Sequence, residues 1–348
     1  MAGNEEALAA LEAARRAIVD LTDEHTRAIT EAWLRAWDEV SAELEVAFLR
    51  LAEQGGQLTA GRVNRAQYAL AAMDALGAAL EQAVVSSGTV VTASLFAAVA
   101  RAAEAELEII RAQFPDTSPF VPVRAPALAL GAIVARTTEQ ITSRLLPIAE
   151  ETYEVIRREL IRGIAVGENP IPVARRMVRR AEDHYNFGLS RALVIARTEM
   201  LDAHRAAGQA VDSANSDSVK EWEWYTNLDT KTCIACIAMH GRRFPISQPG
   251  PEGHPNCRCT RLPVSRPWSE LGLPEVSGPD FPQADPEAWF SSLPEEDQRS
   301  ILGPARYTAW AAGRYPIRDW AVRRENPEWR PSWMPGPVPS SRPVRSVA

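Results

Sequence analysis

All four cysteines of this 348-residue chain fall between positions 233 and 259, as Cys233-x-x-Cys236 and Cys257-x-Cys259, with His240 and His254 between the pairs. Two thiols at such a spacing can bend round one ion while the turn's backbone amides offset the thiolate charge. A second close pair completes a tetrahedral shell for a borderline-soft cation such as Zn(II). Disulfide bonding fits less well, because the N-terminal Met-Ala-Gly-Asn-Glu-Glu has no basic and then apolar export signal. A redox Cys-x-x-Cys would leave the second pair unexplained, and ordinary buried thiols are the remaining reading. The economical ligand set is Cys233, Cys236, Cys257 and Cys259. Its rival exchanges one thiol of the second pair for His254, three residues before Cys257 with Pro255 stiffening the turn. His240, beside Gly241, reads as a surface histidine or one that supports a ligand. A catalytic zinc keeps a position open for water, whereas four thiolates leave none, so the expected metal is structural.

Long helices must carry this segment. Residues 5 to 53 contain neither Pro nor Gly and read as one helix. Its apolar stripe runs Ile18, Leu21, His25, Ile29, Trp33, Trp37, Val40, Leu44, Phe48, Leu51. The step of about 3.7 residues predicts a nearly straight helix packed inside a bundle, with His25 a satisfied core histidine. A second helix is expected from after Thr59 to about Val85, a break at Ser86-Ser87-Gly88-Thr89, and a third from Thr92 to about Phe114. Residues 1–114 therefore read as an up-and-down helical bundle. Prolines at 115, 119, 122 and 126 make 115–126 an extended connection. Helical periodicity resumes over 127–165, ending at Gly163 or Gly167; one helix starts at Pro170 and another spans about Asn186 to Ser213. Lys220-Glu-Trp-Glu-Trp-Tyr alternates as a strand and is expected to pair with Arg243-Phe244-Pro245. The metal would stand in for the core that so short a sheet lacks.

Beyond residue 262 the composition shifts, with 19 of the 26 prolines from Pro245 onward. Residues 263–348 read as a linker, two short helices after Ala288 with a serine cap and Pro294 opening, and an extended or disordered tail from Arg330. The fold class expected is mainly α: a long-helix bundle, then a small α+β module with a zinc knuckle over 127–262, then an irregular Pro/Trp-rich C-terminal segment. A net charge of -7 argues against a surface that grips nucleic acid throughout. Arg157, Arg158, Arg175, Arg176, Arg179 and Arg180 form the most basic stretch; a solvated face and a contact for DNA phosphates or an acidic partner are its two readings. No apolar run approaches the eighteen or so residues of a membrane span, so the chain reads as soluble and no membrane partner is expected.

The run Asp229-Thr-Lys-Thr-Cys-x-x-Cys, then His240-Gly241, Pro251 and His254-Pro-Asn-Cys-Arg-Cys259 resembles the phage Mu F-like head-morphogenesis family, the minor head proteins of tailed bacteriophages. Upstream, Ala196-Arg197-Thr198-Glu199 with Ala203 and Gly208-Gln209 looks like the helix preceding the Cys/His region in that family. Lys231 stands where the family commonly has Arg, and the usual proline pair is spread as Pro249-Gly250-Pro251; neither touches a candidate ligand. The resemblance implies that this helix packs on the metal module, and Arg197 or Glu199 is expected to tie the two together. It further implies a structural, non-enzymatic protein of the virion, at the capsid interior or portal vertex. Its partners would be the portal protein, the major capsid protein or both, and packaged DNA, with no small-molecule substrate. A zinc-dependent nuclease is the enzymatic alternative, but no His-x-Glu and no histidine or aspartate beside His254 supports it. A toxin-delivery protein is a further alternative, for which the proline-rich C-terminal segment is short.

Overall fold

The computed structural model describes residues 2–54, 66–114, 118, 120–162, 170–272, 284–326 and 330–338. Four long helices dominate: α1 (Ala2–Glu53), α2 (Gln67–Ala112), α3 (Ala127–Arg162) and α4 (Pro170–Ala214). There follow β1 (Val219–Tyr225), the short α5 (Ile234–Met239), β2 (Arg243–Pro245) and β3 (Thr260–Ser265). The chain then forms α6 (Pro286–Ser292), α7 (Glu295–Ala311), β4 (Ala321–Arg324) and β5 (Ser332–Pro335). The mainly helical class with a small sheet module is as the sequence reads.

These residues divide into two compact units. One comprises 1–17, 99–130 and 204–348; the other comprises 18–98 and 131–203. The linear division into 1–114, 115–126, 127–262 and 263–348 groups the chain by composition and stays a proposal about its modular organisation.

In the second unit the α1 stripe is buried at nine of its ten positions, Leu21 being half-buried. Trp33 anchors it. Its indole N–H donates to Ser87 Oγ at 2.9 Å, its carbonyl accepts from Tyr185 Oη at 2.9 Å, and its ring meets Tyr185 edge-on at 5.0 Å. His25 is a core histidine as expected, its Nε2 2.8 Å from Ser94 Oγ.

Two expected breaks are absent. The Ser86 to Thr89 run lies inside α2, because Ser87, Thr89 and Thr92 return their hydroxyls to the carbonyls of Ala83, Val85 and Gly88 and so leave the helical ladder intact. Residues 170–214 form one helix rather than two. Gly188, mid-helix in α4, is there for clearance: a Cβ would sit 2.8 Å from Thr152 Oγ1 and 3.2 Å from the Trp33 ring. The expected start after Thr59 and the ends at Gly163 and Gly167 lie outside the described residues. A further correction concerns α2, which contains a window of mean hydropathy 1.8, apolar and long enough to span a bilayer by composition. Interspersed Gly, Ser and Thr hide it from a search for unbroken apolar runs. A helix at the core of a bundle meets the same criterion.

In the first unit the sheet order is β2-β1-β3, both pairings antiparallel, with Trp222 opposite Phe244 on one side and Pro263 on the other. The β1–β2 pairing is as expected; β3 replaces the start of the expected linker. All six β3 residues are buried, so it shows no alternation to read. Arg261 on β3 is fully buried, donating through Nε and Nη2 to Asp212 Oδ2 at 3.0 and 2.9 Å and lying 4.6 Å over the Trp222 ring. Burial, then the Asp212 charge, holds the neighbouring Glu106 carboxyl well above its usual value. Burial raises the Asp212 carboxyl as well, so the two buried acids share a proton beside Arg261.

The C-terminal segment is packed, not loose. Phe290, Leu302, Tyr315 and Trp320 share a core with Ile234, Ile237 and Ala238 of α5. β4 pairs β5 antiparallel, so 332–335 is strand where a tail was expected; residues 339–348 lie outside the described residues. The expected serine cap is not formed: α6 is capped by Asp285, which accepts from Glu287 N, and α7 follows Pro294 without a side-chain cap. Gly303 (φ 72°) breaks α7 into two short pieces before Pro304.

Two predictions follow from this packing. Gly188→Ala should destabilise by about 1–3 kcal/mol through overpacking, whereas Gly131→Ala, with nothing within 4 Å of its Cβ, should be neutral or stabilising; thermal melts distinguish them. Asp212→Asn strands the Arg261 charge and should cost about 3–5 kcal/mol. Glu106→Gln should instead change the pH response. The folded chain keeps a proton that the unfolded chain releases above the ordinary value of 4.5, so wild-type stability falls as pH rises. Each pH unit removes up to about 1.4 kcal/mol. Denaturant titrations from pH 4.5 to 7 should show a flatter profile in the variant.

Candidate metal centre

Local geometry explains why the cysteines meet. Asp229 accepts from Lys231 N and Thr232 Oγ1, and Thr232 Oγ1 is 2.6 Å from the Asn227 carbonyl, so the approach to Cys233 is a closed turn. Cys233 stands at the N-terminus of α5 in extended conformation, its carbonyl accepting from Ile237 N. Cys236 lies one turn into the helix, on the same side. The second arm, 250–259, turns at Gly250 (φ 147°) and Asn256 (φ 63°), and Cys257 N closes on the His254 carbonyl at 3.0 Å. Gly253 has no alternative: a Cβ there would lie 2.5 Å from both Cβ and Sγ of Cys257.

All five candidate ligands come together. Cys233, Cys236 and His254 form one group, and Cys236, Cys257 and Cys259 another, each with donor atoms within 4.8 Å of one another. Cys236 belongs to both. A tetrahedral ion with metal–sulfur bonds near 2.3 Å holds its sulfurs about 3.8 Å apart, and a sulfur and an imidazole nitrogen about 3.6 Å apart. Cys236 Sγ lies 3.7 Å from Cys257 Sγ and 3.4 Å from His254 Nε2, so these edges fit an ion in either candidate set. Nδ1 of His254 is 2.7 Å from the Pro255 carbonyl, which fixes the proton there and turns the Nε2 lone pair toward the sulfurs. His240 is excluded from the cluster: its Nδ1 accepts from Thr226 N at 3.2 Å, and burial holds it neutral, its value lowered to about 4.

The cluster's own electrostatics are those of a site that could hold a cation. Hydrogen bonding with Cys236 lowers Cys233 to about 4, while the same contact, with Cys257 and Cys259, holds Cys236 well above its usual value. Burial opposes charge on His254, but the Cys233 contact and the thiolates outweigh it and raise the ring to about 9. Crowded sulfurs thus share protons that a dication would displace. Around them, Arg15, Lys231 and Arg258 line a cavity of about 60 Å³ beside Cys233, Cys236, His254 and Cys259. Arg15 also stacks 4.9 Å over Tyr225. Trp222 and Trp224, both buried, close the cluster's apolar side together with Met239.

The tie between helix and cluster differs from expectation. Arg197 pairs with Asp23 and Glu199 with Arg144, all within the second unit. Arg205, two turns further along α4, makes the tie instead, donating Nε to the Cys259 carbonyl at 2.9 Å and Nη2 to the Cys257 carbonyl. It gives no motif signal, because its role depends on a loop more than fifty residues away. Among the basic stretch, Arg157 lies 3.5 Å from Glu154, Arg158 donates to the Glu154 carbonyl, and Arg175 lies 3.7 Å from Glu45. Arg179 and Arg180 are exposed and Arg176 is half-buried.

Compared with known families, residues 154–262 match the family model described as Phage Mu protein F like protein. The matched segment contains Arg205, the sheet through β3 Leu262 and every cysteine. No curated protein and no solved structure matches the chain.

Gly253→Ala should move Cys257 off the cluster and weaken binding of Co(II), read from thiolate charge-transfer absorbance, by at least about tenfold, or ~1.4 kcal/mol. Arg205→Met leaves the buried Cys257 and Cys259 carbonyls without these donors and should cost about 2–3 kcal/mol in chemical denaturation.

Proposed function

Taking residues 154–262 as a Mu F-like segment, we propose that the protein is a structural minor head protein of a tailed phage. It is bound at the portal vertex or the inner capsid surface and assists head assembly, DNA packaging or ejection. One observation supports the reading: the matched segment is the one in which five thiol and imidazole donors come together, two of the Cys236 edges being of tetrahedral size. The ion we assign is zinc, held by Cys236 with a choice among Cys233, Cys257, Cys259 and His254. Bound there, zinc supplies cross-linking of two chain arms, with no open position required for chemistry. Cys233 and Cys236 present the α5 arm, Cys257 and Cys259 the arm leading into β3, and Arg205 fixes the carbonyl side of the second arm.

The partners we propose are the portal protein, the major capsid protein or both. The arginines at 157, 158, 175, 176, 179 and 180 are the proposed contact for packaged DNA or an acidic partner surface. The non-enzymatic reading rests on the ligand set, in which four protein donors leave no open position on the ion.

The test has two parts. Purified chain should contain one zinc, and Cys236→Ser should lose it together with the near-ultraviolet signal of Trp222 and Trp224; a metal-free wild-type chain with an unchanged signal overturns the zinc assignment. In infected cells the protein should sediment with tailless heads. Recovery solely in the soluble host fraction overturns the head assignment independently of the metal result.

A further inference from the structure

The second unit carries a surface that the metal module does not use. Between α2 and α3 runs a groove with a cavity volume of about 670 Å³. It is lined by the small residues Gly77, Ala78 and Ala149, by Val84 and the Tyr153 ring, and by Val85 and Leu146. Val85 is 57% and Leu146 60% exposed, large apolar side chains left facing water on both sides of one groove. On α2 the same stripe continues through Leu70 at one end and Phe96, 70% exposed, at the other. The rim is acidic: Asp74 and Glu81 on α2, Glu150 on α3. No lysine or arginine lines the groove, and among the described residues none of the three carboxylates has an ion-pair partner.

We propose that this groove receives a basic amphipathic helix of a partner protein. The lining on α2 spans 74 to 85, three turns or about 16 Å, with α3 as the facing wall and small residues at 77, 78 and 149. A helix laid there buries an apolar stripe against Val85 and Leu146 while its backbone approaches the small residues. The carboxylates select what flanks the stripe. Covered by an uncharged helix they would lose water without compensation; covered by lysines and arginines they gain partners. The same carboxylates disfavour a lipid occupant. They repel anionic headgroups and would be costly in the acyl layer, despite the apolar composition of α2. This inference does not depend on the metal centre or on the head assignment.

A fluorescein-labelled synthetic peptide of about 18 residues, about five helical turns, tests it on the full-length chain. It carries leucines at i, i+3, i+4 and i+7 and lysines on either side. Anisotropy should show saturable binding that is absent for a scrambled peptide of equal composition. Leu146→Glu, and separately Glu81→Lys with Glu150→Lys, alter exposed positions and should keep the wild-type melting curve. Each should weaken binding by about tenfold or more. The lysine double variant should gain affinity for a peptide with glutamates in place of the lysines. Equal affinity of wild type and variants overturns the proposal. So does pelleting with anionic phospholipid vesicles that Leu146→Glu abolishes, which would identify a lipid surface. A dimer in sedimentation velocity that Leu146→Glu dissociates would identify a second copy as the occupant and overturns it equally.

Discussion

Crowded sulfur is the constraint on which the first unit depends. Cys236 Sγ sits 3.7 Å from Cys257 Sγ and 3.4 Å from His254 Nε2, out of water and against Trp222 and Trp224. In a low-dielectric site, thiolates at such distances repel strongly unless protons or a cation intervene. Everything nearby answers that demand. Arg15, Lys231 and Arg258 surround the cavity, Arg205 gathers the carbonyls of the second arm, and Gly253 withdraws its side chain so that Cys257 can enter. A three-stranded sheet whose central strand has seven residues and whose β2 edge has three is too small to hold this arrangement by itself. A metal crosslink of the kind proposed would stabilise the sheet, and the sheet the crosslink.

A second, smaller electrostatic knot lies behind the sheet. Arg261 bonds Asp212, stacks on Trp222 and donates to the Gly250 carbonyl at 3.0 Å. One fully buried cation thereby joins α4, β1, β3 and the loop that leads to the second cysteine arm. Such an arrangement adds little stability over an apolar core, yet breaking it is costly, so its role is to fix register. Only Thr260 separates Arg261 from Cys259, so the register of β3 and the position of the last thiol are set together.

How much of this could be read in advance depends on how local each signal is. The cysteine spacing and the α1 stripe are periodic along the chain, and both were legible down to individual residues. Punctuation misled where tertiary structure absorbed it. Ser87 belongs to the run read as a break, but it bonds back to Ala83 and accepts from Trp33; Gly188 lies near the expected start at Asn186, yet it sits mid-helix and makes room for Thr152. β3 lacks alternation because both its faces are covered. Arg205, Arg15 and Arg261 matter only once distant segments meet, and nothing in their local sequence separates them from the many solvated arginines. Arg197 and Glu199 belong to a recognisable motif on the helix, while Arg205, two turns later, meets the second arm.

The clasp over the second arm has a consequence for biosynthesis. Trp333 N bonds the Glu252 carbonyl at 2.9 Å, and Arg323 grips the Glu252 carboxylate at 2.7 and 3.1 Å. On the ribosome, Trp333 follows Cys259 by 333 − 259 = 74 residues. At ordinary elongation speeds the four thiols precede their cover by roughly 4–15 s. During that interval a nascent chain carries all four thiols without the strand that covers their arm.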